Sequence, residues 1–171
     1  MHTLAEINRM DRPGFVAALG GVFEHSGWVA DRAWEERPFP SLEKLHATMM
    51  IAVNTAGHAT RLALLCAHPE LAGSEAAAGA MTADSTSEQA RLGLNALSSA
   101  ELARMAGLNR RYRDRFGFPC IIALRLHADR ASVFAEFERR LTGTPAGEEA
   151  AAIEQVGHIT HARLQRLVRE E

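Results

Sequence analysis

The sequence predicts an all-α fold, a single compact multi-helix domain over residues 1–171, on three observations. Apolar residues recur three or four positions apart in most windows, the spacing of one face of a helix. Alanine, leucine, glutamate and arginine dominate, while aromatic residues make up only 6% of the chain, a composition that favours helices over strands. The length suits one hydrophobic core, since dividing it would leave two marginal ones.

The elements follow in order. An opening helix runs from about Thr3, and a second starts near Asp11 with Pro13 in its first turn and ends at Gly20-Gly21. After Phe23-Glu24-His25-Ser26-Gly27-Trp28 comes a short helix that stops at Arg37-Pro38. Ser41 caps a helix with Leu42, Leu45, Met49, Ala52 and Val53 on one face, and Gly57 bends or ends it. The segment Leu62 to Ala67 ends at His68, because the residue before Pro69 is pushed out of the helical region. Leu71 to Asp84 is small, Ala/Gly-rich and weakly patterned, and reads as a loop or a poorly defined turn of helix. Ser85-Thr86-Ser87-Glu88 and Ser98-Ser99-Ala100-Glu101 both have capping-box spacing, so each is expected to open a helix. The second of these runs to Arg115, with Gly117 supplying a left-handed turn. Phe118-Pro119-Cys120-Ile121-Ile122-Ala123 is the one extended apolar run, and its proline favours a buried loop or short strand over a sheet. Two final helices, about Ala131 to Leu141 and Pro145 to Arg169, are split by Thr142-Gly143-Thr144. Ile153, Val156, Ile159 and Leu167 mark the buried stripe of the last, with Arg163 close to it. No repeat, low-complexity tract or linker interrupts the chain.

The formal net charge of −2, with basic residues spread among acidic ones, offers no field for a polyanion. Nucleic acid is therefore not an expected partner. No apolar run approaches the ~20 residues of a membrane helix, and Met1 to Glu6 lacks a signal peptide's basic and apolar regions. A membrane is likewise not an expected partner. Cys66 and Cys120 stand far apart without C-x-x-C spacing and read as reduced packing residues.

Three placements point to chemistry. His68 ends a helix just before a proline, Glu88 opens another, and Arg163 nears the buried face of the last. Each has a bland reading as well: a histidine that caps carbonyls, a capping-box glutamate, and an arginine that snorkels from a helix edge. Residue types alone leave both readings open.

The motifs around these positions resemble the 2-oxo-4-hydroxy-4-carboxy-5-ureidoimidazoline (OHCU) decarboxylase family along nearly the whole chain. They are Phe23-Glu24-His25-Ser26-Gly27-Trp28-Val29, Arg37-Pro38-Phe39, His68-Pro69-Glu70-Leu71-Ala72-Gly73 and Ser85-Thr86-Ser87-Glu88-Gln89 with Gly93-Leu94. Asn109-Arg110-Arg111-Tyr112, Phe116-Gly117-Phe118-Pro119, Arg140-Leu141, Glu148 and Ala162-Arg163-Leu164 complete the set. Gly27 stands where the family has proline, and Cys120 where it has phenylalanine.

The resemblance implies a cofactor-independent, metal-free carboxy-lyase that converts OHCU to (S)-allantoin and CO2 in urate breakdown. It makes His68 the central catalytic residue, with Glu88 and Arg163 as polar partners. Ser85 and Gln89 would bond the substrate, Pro69 would shape the pocket, and the backbone of Phe118, Pro119, Cys120 and Ile121 would hold the ring. It also implies a homodimer. With no S-K-L type ending, a cytoplasmic location is expected. Two competing readings remain: a metal-dependent hydrolase, for which His158 and His161 lie three apart among eight histidines, and a non-catalytic helical interaction module.

Overall fold

Helix boundaries follow the capping chemistry in the computed structural model, which describes residues 1–171. Thr3 and Glu6 form a reciprocal capping box that opens α1 (Leu4–Arg9). Asp11 accepts from the Gly14 N–H at the start of α2 (Arg12–Leu19), where Pro13 fits the first turn. Next come α3 (Trp28–Ala33), a 3-10 turn (Trp34–Glu36), and α4 (Leu42–Asn54), capped by Ser41. The following helices are α5 (His58–Cys66), the single-turn α6 (Ser74–Ala77) and α7 (Ala83–Arg91). A second capping box, Ser98 with Glu101, opens α8 (Ser99–Phe116), and Gly117 at φ 83° stops it in the left-handed conformation that glycine adopts without steric cost. The chain then passes through α9 (Arg130–Arg140) and α10 (Pro145–Leu167). The only strands are β1 (His2–Thr3) and β2 (Val168–Arg169), paired in parallel. The all-α class is borne out.

The chain forms two compact units, Met1–Ala67 with Gly157–Glu171, and His68–Val156, so α10 contributes to both. In the first unit α3 packs on α2 and α4. Its buried side chains include Phe15, Leu19, Phe23, Val29, Leu45, Met49, Val53, Leu65 and Leu164. Leu42, Leu45, Met49, Ala52 and Val53 all turn inward from α4, as their spacing predicts. In the second unit α8 packs on α9. Its core is aromatic: the Tyr112 ring lies 4.6 Å from Phe116, 5.8 Å from Phe118 and 5.7 Å from Phe137, centroid to centroid.

Four expectations need correction. The helix expected to open at Ser85 is capped instead by Thr82, whose side chain accepts from the Ser85 N–H. Thr82 lies shortly ahead of Ser85 and is itself a preferred N-cap residue, so the start moves back by three residues and Glu88 is no capping residue. Leu62 lies within α5, which begins at His58 directly after Gly57. Cys66 is exposed, whereas Cys120 is buried. The last helix gives way at Val168 because Val168 and Arg169 extend to pair with β1. The apolar run from Phe118 is not a strand. It is a loop, buried at every residue through Leu124, where a 3-10 turn (Leu124–Leu126) begins.

Candidate active site

His68 lies just past the end of α5, whose last carbonyls are closed by Ala67, and it is 5% exposed. It is therefore a buried imidazole and not a surface residue. Pro69 itself is half-buried. The loop after it is fastened from two helices. Gln89 of α7 accepts the Ala72 N–H at 2.8 Å through Oε1, and through Nε2 it donates to the Glu70 carbonyl at 3.2 Å. Asn109 of α8 donates to the Leu71 carbonyl at 2.9 Å, and the Arg113 Nε meets the Glu70 carboxylate at 2.8 Å. Ala72 holds φ 47°. Such a conformation costs a residue with a Cβ ~1–3 kcal/mol and persists only where the surroundings over-determine it, as these bonds do.

The inward face of α7 is polar. Ser85 and Gln89 are buried and Glu88 is half-buried, at the i, i+3 and i+4 spacing that places three residues on one side of a helix. Burying polar groups is costly unless they are bonded, a condition that Gln89 meets through Ala72 and Glu70. Starting the helix at Thr82 is what turns Glu88 from an end residue into part of this face.

Phe118, Pro119, Cys120 and Ile121 are all buried. Burial pushes the Cys120 thiol up to about 12, so it is a neutral wall and not a nucleophile. The Ile121 carbonyl accepts from Arg140 Nη1 at 3.1 Å, and the Ala123 N–H donates to Gln155 Oε1 at 2.9 Å.

Arg163 does not snorkel. It is 2% exposed, in a stripe of α10 that buries Ala152, Val156, Ile159, Thr160 and Leu164. The stripe runs one position away from Ile153, which is half-buried, and this shift takes Arg163 from the edge to the middle. Its Nη1 donates to Glu24 Oε2 at 2.6 Å, and Glu24 is also 2% exposed. Sequence reasoning assigned Glu24 no role. The available signal was a carboxylate between Val22-Phe23 and Val29-Ala30, all buried here. The bend that carries it includes His25 at φ 47°.

His158 and His161 share α10, and the His161 ring stands edge-on to His46 of α4 at 5.1 Å. His46 is held down to about 4 by burial first and then by the positive field of His161. No three His, Cys, Asp or Glu side chains are arranged as metal ligands. An open cavity of about 460 Å³ between the Glu70–Ala77 segment and α8 includes Asn109 and Arg110 in its lining but neither His68, Ser85 nor Glu88. It is therefore not the place where these groups would act.

The geometry defines an all-helical protein that buries polar and ionisable side chains, His68, Gln89 and Arg163 among them, on helix faces and at fastened loops. The sequence model of the OHCU decarboxylase family matches residues 8–165. The chain belongs to this family. It is 36% identical to the 2-oxo-4-hydroxy-4-carboxy-5-ureidoimidazoline decarboxylase of Mus musculus over 96% of this chain and 92% of that protein. The protein of the same name from Haloferax volcanii is 38% identical, over 95% of this chain and 94% of its own length. Among solved structures, an (S)-allantoin synthase is similar with a TM-score of 0.77 and 32% identity, over 97% of this chain and 54% of that one.

Proposed function

We propose that the protein is a cofactor-independent decarboxylase that converts OHCU to (S)-allantoin and CO2. The observation that carries this reading is the burial of family-motif polar residues, His68, Ser85, Gln89 and Arg163, in a frame whose other buried side chains are mainly apolar. In the reaction the bond from ring carbon to carboxylate breaks, and its electron pair delocalises into the adjacent C=N bond. A proton then adds to that carbon. The residues therefore have to orient, desolvate and protonate.

His68 moves the proton between the substrate hydroxyl and the nascent carbanion, the general acid–base role that an imidazole fills most often. Delivery to one face gives one enantiomer. Glu88 balances positive charge during the transfer, and Arg163 binds anionic or carbonyl oxygen with its planar donors. Ser85 hydrogen-bonds the substrate. Gln89 already spends donor and acceptor on the loop after Pro69, so its contribution to binding is the remaining lone pair of Oε1 and the loop that it holds. The Phe118 to Ile121 backbone grips the ring, and Pro69 shapes the wall beside His68. The chain works as one domain and as a homodimer, which the family resemblance supports.

The test is to add purified protein to freshly generated OHCU and follow optical activity. The expected result is rapid formation of one enantiomer by the parent, with His68→Asn leaving only the slow racemic decay. A parent protein that does not speed the reaction defeats the proposal, and a His68→Asn variant with most of the parental rate removes that residue from the mechanism.

A further inference from the structure

The run from Phe118 to Ala123, which leads into the 3-10 turn at Leu124, is buried throughout without being helix or strand, so most of its backbone polar groups need partners from outside a regular element. Side chains supply them. Arg140 donates from Nη1 to the Ile121 carbonyl at 3.1 Å, Gln155 accepts the Ala123 N–H at 2.9 Å, and Arg91 donates to the Leu124 carbonyl.

Arg140 is itself immobilised. Its Nε donates to Glu148 Oε2 at 2.6 Å and its Nη2 to the Tyr112 hydroxyl at 3.1 Å. The Tyr112 hydroxyl donates to the same Glu148 oxygen at 2.6 Å. Arg140 is 1% exposed, Glu148 5% and Tyr112 0%. Behind the carboxylate is Gly143, where a Cβ would stand 2.5 Å from Glu148 Oε1, so a side chain there would displace the glutamate. A buried ion pair of this kind is a poor device for stability, because well-packed apolar residues often do as well. What apolar residues cannot do is point a guanidinium N–H at one chosen carbonyl.

We propose that Arg140, oriented by Glu148 and Tyr112, and Gln155 are positioning residues that hold the Cys120–Ala123 backbone in its substrate-binding shape. The proposal rests on the reading of Phe118 to Ile121 as the wall that grips the ring. Arg140 and Gln155 fix that wall at two points, Ile121 and Ala123, on either side of the Ile122 residue. They act through the loop and do not touch the reacting atoms. The loss of either anchor therefore weakens substrate binding more than the chemical step.

Two variants test this. Gln155→Met keeps the length of the side chain but removes the acceptor, and Tyr112→Phe keeps the ring among Phe116, Phe118 and Phe137 but removes the hydroxyl. Gln155→Met should raise KM about tenfold with kcat within about twofold of the parent, and Tyr112→Phe should raise KM roughly threefold. Gln155→Glu, which restores an acceptor for the Ala123 N–H, should bring KM back to within about threefold of the parent. A purely structural role would lower the melting temperature of the variants and leave KM alone, and that result overturns the proposal. If Gln155→Met does not fold, Tyr112→Phe decides by the same criterion. A parent enzyme that is active while the variants keep the parental KM defeats the positioning role alone, whereas an inactive parent defeats it together with the decarboxylase reading.

Discussion

Arg140 and Arg163 are both interior, 1% and 2% exposed, and each meets a buried glutamate at 2.6 Å. They are nevertheless built differently. Arg140 takes its partner Glu148 from eight residues along the chain, across a turn that Gly143 keeps narrow, and each of its three nitrogens has a partner within its own unit. Arg163 takes Glu24 from 139 residues away, on a bend with a left-handed histidine beside it. The first arrangement is closed on itself and grips backbone. The second joins a helix to a bend in which His25, next to Glu24, is held at φ 47°. The same ion pair thus serves as frame in one unit and, by our proposal, as substrate clamp in the other.

The largest effect expected from testing this contrast is in the frame. Glu148→Ala leaves Arg140 buried without its carboxylate, which should cost ~3–5 kcal/mol and lower the melting temperature by roughly 10 °C. A melting curve within a couple of degrees of the parent would mean that the closed network is not what we describe. On the other side of the comparison, Arg163→Lys keeps the charge and loses the planar fork. Turnover should fall roughly a hundredfold, about 2.7 kcal/mol of barrier, while the melting temperature drops less than in Arg140→Lys. Equal thermal losses with intact turnover in both variants would erase the distinction between the two arginines.

A smaller effect is expected at Glu88. Because Thr82 caps α7, Glu88→Gln has no cap to break and should melt with the parent, yet lose about tenfold in turnover, equivalent to ~1.4 kcal/mol. Glu101→Gln, in the true capping box of α8, is the control and should leave turnover unchanged. Full activity in Glu88→Gln would reduce the polar face of α7 to Ser85 and Gln89.

The smallest effect separates the units by pH. His46 is held near 4 when folded, so the unfolded chain takes up its proton first as pH falls. The stability that His46 contributes is present above its unfolded value of about 6.5 and is lost between there and about 4. His46→Gln should flatten the fall in melting temperature across that window. Cys120, pushed up to about 12 in the other unit, does not titrate there. A parental melting temperature that stays level from pH 6.5 to 4 would contradict the burial of His46.

By itself the sequence determined what is local. Thr3, Asp11 with Pro13, Ser41, Ser98 with Glu101 and Gly117 close helix ends within a few residues of themselves, and all were legible as boundaries. The inward face of α4 was legible for the same reason, because periodicity acts along the chain, and the proline in the Phe118 run narrowed it to a buried loop or short strand. The motifs also marked His68, Glu88 and Arg163. Only the tertiary structure decided what surrounds them: that Thr82 and not Ser85 caps α7, that the buried stripe of α10 is centred on Arg163, and that Glu24 pairs with it. Two caps of similar strength differ by less than packing supplies. A one-residue rotation of a stripe is within the ambiguity of a 3.6-residue period. A partner 139 positions away leaves no local trace, because the free energy of burying a charge is settled by what the fold brings beside it.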